Sequence, residues 1–213
     1  MYIPRHFQEQ DPERLVALMR QHGFATLVTV GEDGAPFATH LPFLVERDAA
    51  GTVRLRAHLA RPNPQWHAFA AERDVLVIFQ GPHAYVSPTW YTPGQPQVPT
   101  WNYAAVHAYG RAHVLESPDE VLRLLSDSAA TYEAGNPQPW RPDSVAGYVR
   151  RLMAGIVAFE VRVSRLEGKL KLSQNKDEED RRGVIAGLER SAFPGDRDVA
   201  ALMRSREEKP QGG

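Results

Sequence analysis

Four segments of this 213-residue chain hold more chemically useful side chains than packing requires. The first is Thr39-His40-Leu41-Pro42-Phe43, and the second is His58-Leu59-Ala60-Arg61-Pro62-Asn63-Pro64-Gln65-Trp66. The third contains Ser87, Trp90, Tyr91, Thr100, Trp101, Asn102, Tyr103 and His107. The fourth is Lys169-Leu170-Lys171-Leu172-Ser173-Gln174-Asn175-Lys176. In the second, a strand ends, Arg61 follows and a helix begins at about Asn63. A helix amino terminus presents unpaired N–H groups and partial positive charge, so beside Arg61 it could cradle a phosphate or carboxylate. The same residues also read as a capped helix next to a solvated arginine. In the third, Trp90, Tyr91, Trp101 and Tyr103 flank a Pro-rich loop. They could wall a flat ligand, cover a barrel mouth or line a dimer interface.

Other chemistries are poorly supplied. The chain has no Cys, which removes disulfides, thiolate metal sites and a cysteine nucleophile together. His40, His58 and His107 are scattered, with neither an HExxH helix nor a Cys/His ladder, so no metal site is expected. Gly-x-Ser-x-Gly is absent, and Ser87 precedes Pro88 rather than a helix. GxGxxG and P-loop patterns are also missing, so neither a dinucleotide-binding nor a Walker site is expected.

The elements that must position these residues read as mainly β with peripheral helices. Asp11-Pro12 opens a helix that Gly23 stops. Phe24–Val30 is a strand, Gly31-Glu32-Asp33-Gly34 a turn, and residues 35–45 the return strand. A strand from Val53 alternates apolar and polar residues. A short helix follows Asn63. Residues 75–79 form a compact apolar strand, and residues 83–88 continue extended. Residues 92–99 form a loop, and residues 101–115 a long strand broken near Gly110. Ser117 opens a helix with Glu120 in capping-box position. Residues 136–142 are a Pro-rich loop, residues 143–153 helical, and residues 156–163 the last clear strand. Beyond Ser173 the pattern is polar and helical. Short hairpins exclude a doubly wound parallel sheet and favour a small antiparallel barrel. The division expected is 1–172 for the barrel and 173–213 for a helical extension.

Composition is that of an ordinary globular chain: 42% hydrophobic and 24% charged, with a net charge of −1. That balance argues against non-specific nucleic-acid binding, which needs clustered cations. No apolar run reaches the roughly 20 residues of a membrane helix, and the opening residues do not read as a signal peptide. A cytoplasmic protein with no membrane partner is expected.

Several short motifs, in order, carry a resemblance. They are Met1-Tyr2-Ile3-Pro4 with His6-Phe7, His40-Leu41-Pro42-Phe43, His58-Leu59-Ala60-Arg61, Asn63-Pro64-Gln65-Trp66, Val86-Ser87-Pro88 with Trp90-Tyr91, Val98-Pro99-Thr100-Trp101-Asn102-Tyr103 with Val106-His107, and Lys171-Leu172-Ser173-Gln174-Asn175-Lys176. Together they resemble the PaiB-like family of FMN-binding negative transcriptional regulators, which is similar to the split-barrel flavoproteins such as pyridoxamine-phosphate oxidases. The resemblance implies an FMN-binding split β-barrel that forms a homodimer with two FMN sites at its interface. It implies Arg61, Asn63 and Gln65 on the phosphate side, and Thr39, His40 and Leu41 along the ring or ribityl chain. Trp101 and Asn102 become ring-wall candidates. Lys171, Gln174 and Asn175 become candidates for closing the site from the carboxyl-terminal side. Trp90, Trp101 and Tyr103 are expected to contribute to the two-fold interface.

The regulatory label sits beside a tail that does not look like a DNA-binding arm. From Lys176 onward there are eight Lys+Arg and nine Asp+Glu, and Asp177-Glu178-Glu179-Asp180 would repel phosphates. That acidic run suits a helix amino terminus, with Val184, Ile185 and Leu188 as the buried stripe. DNA is therefore a partner without a motif to carry it. Two other functions on the same fold stay open: a flavin-dependent oxidoreductase, and a haem-binding or haem-degrading split barrel.

Overall fold

The computed structural model describes residues 1–31, 33–71, 73–94 and 96–207. Glu32 of the expected turn, Gln95 of the expected loop and residues 208–213 of the expected extension lie outside the described residues. The chain divides into two compact units. One comprises Met1–Leu15, Gln80–Val106 and, among the described residues, 167–207; the other comprises Val16–Phe79 and His107–Leu166.

Eight strands pair in one antiparallel pattern. They are β1 (Gln8–Glu9), β2 (Phe24–Val30), β3 (Pro36–Pro42), β4 (Leu44–Arg47), β5 (Val53–Ala60), β6 (Val75–Val86), β7 (Thr100–Val114) and β8 (Ile156–Lys171). Their order is β3-β2-β6-β7-β8-β5-β4, with β1 added to β8. Strands β6, β7 and β8 contribute residues to both units. The helices are α1 (Pro12–Gln21), α2 (Pro118–Tyr132), α3 (Ala146–Met153), α4 (Glu178–Arg190) and α5 (Asp196–Glu207).

The second unit is built on an aromatic core. Phe43 lies 6.0 Å from both Phe79 and Phe159 between ring centroids, each pair edge-on, and Phe69 sits 5.0 Å from Phe159. In β5 the alternation is realised: Val53, Leu55, Ala57 and Leu59 are buried while their neighbours are not. The expected return strand is two strands, because the chain leaves the ladder at Phe43, whose N–H donates to the Gly23 carbonyl at 2.8 Å. The helix expected after Asn63 is a 3₁₀ segment, Pro64–Ala71, started by Asn63 Oδ1 accepting from the Gln65 N–H at 3.0 Å.

Three expectations about strand and helix ends are corrected. β7 runs unbroken through Gly110. A Cβ there would stand 2.0 Å from the Arg162 carbonyl oxygen, so this glycine permits a close backbone approach rather than a break. β8 continues to Lys171 instead of ending near Val163. Ser117 precedes α2 as expected, but its side chain makes no capping hydrogen bond; Pro118, with its preset φ, opens the helix without one.

In the first unit, α4 starts as its acidic run suggests. Asp177 is the N-cap and accepts from the Asp180 N–H at 2.8 Å; Val184, Ile185 and Leu188 are buried. Trp90 packs on this helix, since a Cβ at Gly187 would come within 2.3–2.7 Å of three indole carbons. α5 packs against α4, burying Val199 and Met203.

Candidate functional site

The predicted site residues fall into two groups, one in each unit. In the second unit, the end of β5 is pinned where Arg61 N–H donates to the Gly155 carbonyl at 2.8 Å. The exposed Arg61 side chain donates through Nε to the Ala154 carbonyl at 2.8 Å and through Nη2 to the Ile156 carbonyl at 2.7 Å. Asn63 Nδ2 donates to Thr39 Oγ1 at 3.0 Å and so ties β3 to the loop carrying Arg61. Gln65 is buried and donates through Nε2 to the carbonyls of Leu27 (3.2 Å) and Phe37 (3.0 Å). Its amide protons therefore hold β2 and β3. Its Oε1 is buried without a partner, a loose end of the kind that collects at functional sites. Leu41 is buried, while His40 is exposed and stacks on Phe24 with centroids 6.4 Å apart.

β3 is an end strand in the sheet order, and one of its seven residues, Leu41, is buried. Phe24 beside it is 69% exposed and Phe37 41% exposed. An uncovered edge carrying aromatic rings is a surface that another molecule could cover. Burial lowers the pKa of His58, one residue pair up β5 from Ala60, so its imidazole stays neutral.

In the first unit, Asn102 is buried. It donates through Nδ2 to Ser173 Oγ at 3.0 Å and receives from that hydroxyl at 3.3 Å. Lys171 Nζ donates to Thr100 Oγ1 at 2.5 Å and to the Trp101 carbonyl at 2.6 Å. Burial, then the charge on Lys169, lowers the Lys171 pKa. Trp101 is 53% exposed, tilted against His83 and edge-on to Tyr85. Gln174 is a backbone brace: its Oε1 accepts from Leu172 N–H at 2.6 Å, and its Nε2 donates to the Leu170 carbonyl. Asn175 is exposed and joins Asn102 and Lys171 around a small cavity. Phe7, Thr100 and Ser173 lie inside the motifs read from the sequence but carried no assigned role there, and nothing in the sequence marks Gln97. Among the described residues no three His, Asp or Glu side chains gather closely enough to hold a metal ion.

A model of the family described as "Putative FMN-binding domain" matches residues 1–165. Protease synthase and sporulation protein PAI 2 of Bacillus subtilis is 39% identical over 98% of this chain and 99% of its own length. This chain belongs to the PaiB-like FMN-binding family. Two solved structures share its fold. The FAD- and haem-binding protein of Mycobacterium smegmatis has a TM-score of 0.59 at 18% identity, covering 82% of this chain and 78% of that one. A flavocytochrome of Azotobacter vinelandii has a TM-score of 0.59 at 16% identity, covering 85% and 78%. At such identities the likeness is one of fold. The fold is the antiparallel split β-barrel with peripheral helices, and the family cofactor is FMN.

The residues of the second unit fit a flavin phosphate in their donor chemistry. The Arg61 guanidinium sits at the end of β5 against the 154–156 carbonyls, the Asn63 carboxamide and the Thr39 hydroxyl pair two residues further on, and aromatic rings lie exposed on β2 and β3. No helix among the described residues is long and apolar enough to cross a membrane.

Proposed function

We propose that this PaiB-like protein is a cytoplasmic homodimer that binds FMN and acts in gene regulation through the flavin. The observation that carries the site is the Thr39–Asn63 hydrogen bond, which fixes β3 beside the loop holding Arg61. Arg61, Asn63 and Thr39 would hold the phosphate, with His40 and Leu41 along the ring or ribityl chain. Gln65 positions these strands from beneath and is not itself a phosphate donor. FMN, when bound, supplies a ring that takes up and returns electrons. The protein's own residues fix its phosphate and wall its ring.

The dimer is supported by the exposed rings of Phe24 and Phe37 at the uncovered β3 edge. Trp101 is exposed enough to join such an interface, whereas Trp90 is engaged by α4 of its own chain. Residues 1–172 act as the flavin-binding domain and 173–213 as its extension. The Bacillus relative, named for protease synthesis and sporulation, supports a regulatory role. With a net charge of −1, regulation runs through a partner protein or flavin state more readily than through direct DNA contact. The test is the absorption spectrum and mass of the molecule that co-purifies, with sedimentation of the loaded protein. FMN on a dimer is expected; haem, no flavin or a loaded monomer would overturn the proposal.

A further inference from the structure

The chain has 21 Arg but four Lys, and three of the four fall within eight residues: Lys169, Lys171 and Lys176. All three belong to the first unit, and among the described residues none is in an ion pair. Lys169 Nζ donates to the Tyr2 carbonyl at 3.1 Å, Lys171 to Thr100 and Trp101, and Lys176 to Gln97 Oε1 at 2.6 Å. Every one of those acceptors is neutral. Ammonium groups with three donors each are thus gathered without a compensating charge.

Two of them, Lys171 and Lys176, line a cavity of about 250 Å³ with Phe7, Tyr91, Val98 and Ser173 among its other walls. Among the described residues no acidic side chain lines it. Buried Asp180 accepts from the Thr92 N–H at 2.8 Å and acts on the Tyr91 phenol without lining the cavity. Ser173 adopts φ 62°, a left-handed conformation unusual for a residue with a side chain. Its hydroxyl is held by the two hydrogen bonds with Asn102. Backbone strain kept in place by surrounding contacts is a feature of ligand sites. The volume is below the roughly 300–1,000 Å³ of pockets for drug-sized ligands, so the cavity suits one ring and a small head group rather than a flavin.

We propose that this cavity binds a small organic carboxylate carrying a single apolar ring, its carboxylate meeting the donors left on Lys171 and Lys176 and its ring lying among Phe7, Tyr91 and Val98. Lys171 uses two of its three N–H donors internally and Lys176 one, which leaves three for the two carboxylate oxygens. The site shares no residue with the flavin residues proposed in the second unit and does not rest on that assignment.

The probe is benzoate, titrated by calorimetry into the full-length, flavin-loaded protein, with benzyl alcohol and inorganic phosphate in parallel. Saturable benzoate binding is expected at millimolar concentration or below, with both other compounds weaker by about tenfold or more. Lys176→Gln and Lys171→Gln should each weaken benzoate by about tenfold, and Lys176→Gln should do so with flavin content and spectrum unchanged. Lys176→Gln alters only one ammonium and keeps the test open should Lys171→Gln fold poorly. Absence of benzoate binding, or binding untouched by both substitutions, would overturn the proposal. Inorganic phosphate binding as tightly as benzoate would show a bare anion patch and overturn it too. Loss of flavin together with benzoate in the variants would assign the lysines to FMN and end the separate-site reading.

Discussion

Replacing Arg61 by Ala separates phosphate recognition from local packing. The guanidinium carries five N–H donors and places two on the Ala154 and Ile156 carbonyls, which leaves three to meet an anion. A hydrogen bond to a charged group contributes about 1.5–3 kcal/mol. Arg61 is exposed, so solvent screening puts its share in the lower part, about 1.5–2 kcal/mol, or roughly 12- to 30-fold in Kd. Riboflavin has no phosphate and should register only the loosened turn at residues 154–156, about twofold to fivefold for the lost bonds at an exposed site. Arg61→Lys keeps the charge without the planar fork and should recover part of the FMN loss. Fluorescence titration of the flavin-free protein with each ligand measures both constants. Equal factors for FMN and riboflavin would show that Arg61 acts through the turn alone. No loss with either would remove it from the flavin site.

Three further perturbations follow from the packing and the titrating groups. Gly187→Ala gains about 1 kcal/mol of helix propensity but drives a methyl into the Trp90 indole, so a net loss of up to about 2 kcal/mol is expected in denaturant unfolding; a more stable protein would show that Trp90 does not pack on α4. Gly110→Ala meets the Arg162 carbonyl oxygen 2.0 Å away, with backbone on both sides, and should cost about 3 kcal/mol or more, seen as a large fall in Tm; an unchanged Tm would refute the close approach of β7 and β8. His58 has its folded pKa lowered by burial beside Tyr132, Tyr148 and Leu152, so the unfolded chain takes up a proton first as pH falls; its neutral form favours folding above the unfolded pKa of about 6.5, and that share fades below it. Thermal unfolding between pH 7.5 and pH 5, roughly one unit or more either side of that value, should show stability falling on acidification, and His58→Gln should flatten the slope; an identical slope in the variant would place the effect elsewhere.

The sequence alone determined what depends on local periodicity and on residue type. The alternation of Val53, Leu55, Ala57 and Leu59 needs a half-buried strand, and that strand formed where it was read. Asp177 with its acidic followers could open a helix because both the cap and the dipole act within one turn, and α4 begins there. The motif order carried the family, since several short matches in sequence survive where one would not. What only the tertiary structure decided depends on partners distant in sequence. Gly110 reads as a breaker until Arg162 lies against it. Ser117 and Glu120 read as a capping box, yet Pro118 starts α2 unaided. Gln65 looks like a phosphate donor until Leu27 and Phe37, 38 and 28 residues away, take its amide protons. Of the lysines in residues 169–176, Lys171 alone reads as a site residue, closing the flavin site with Gln174 and Asn175. That Lys171 and Lys176 share a small cavity appears only when Phe7, Tyr91 and Val98 are folded beside them, because an electrostatic site is set by which charges are absent nearby as much as by those present.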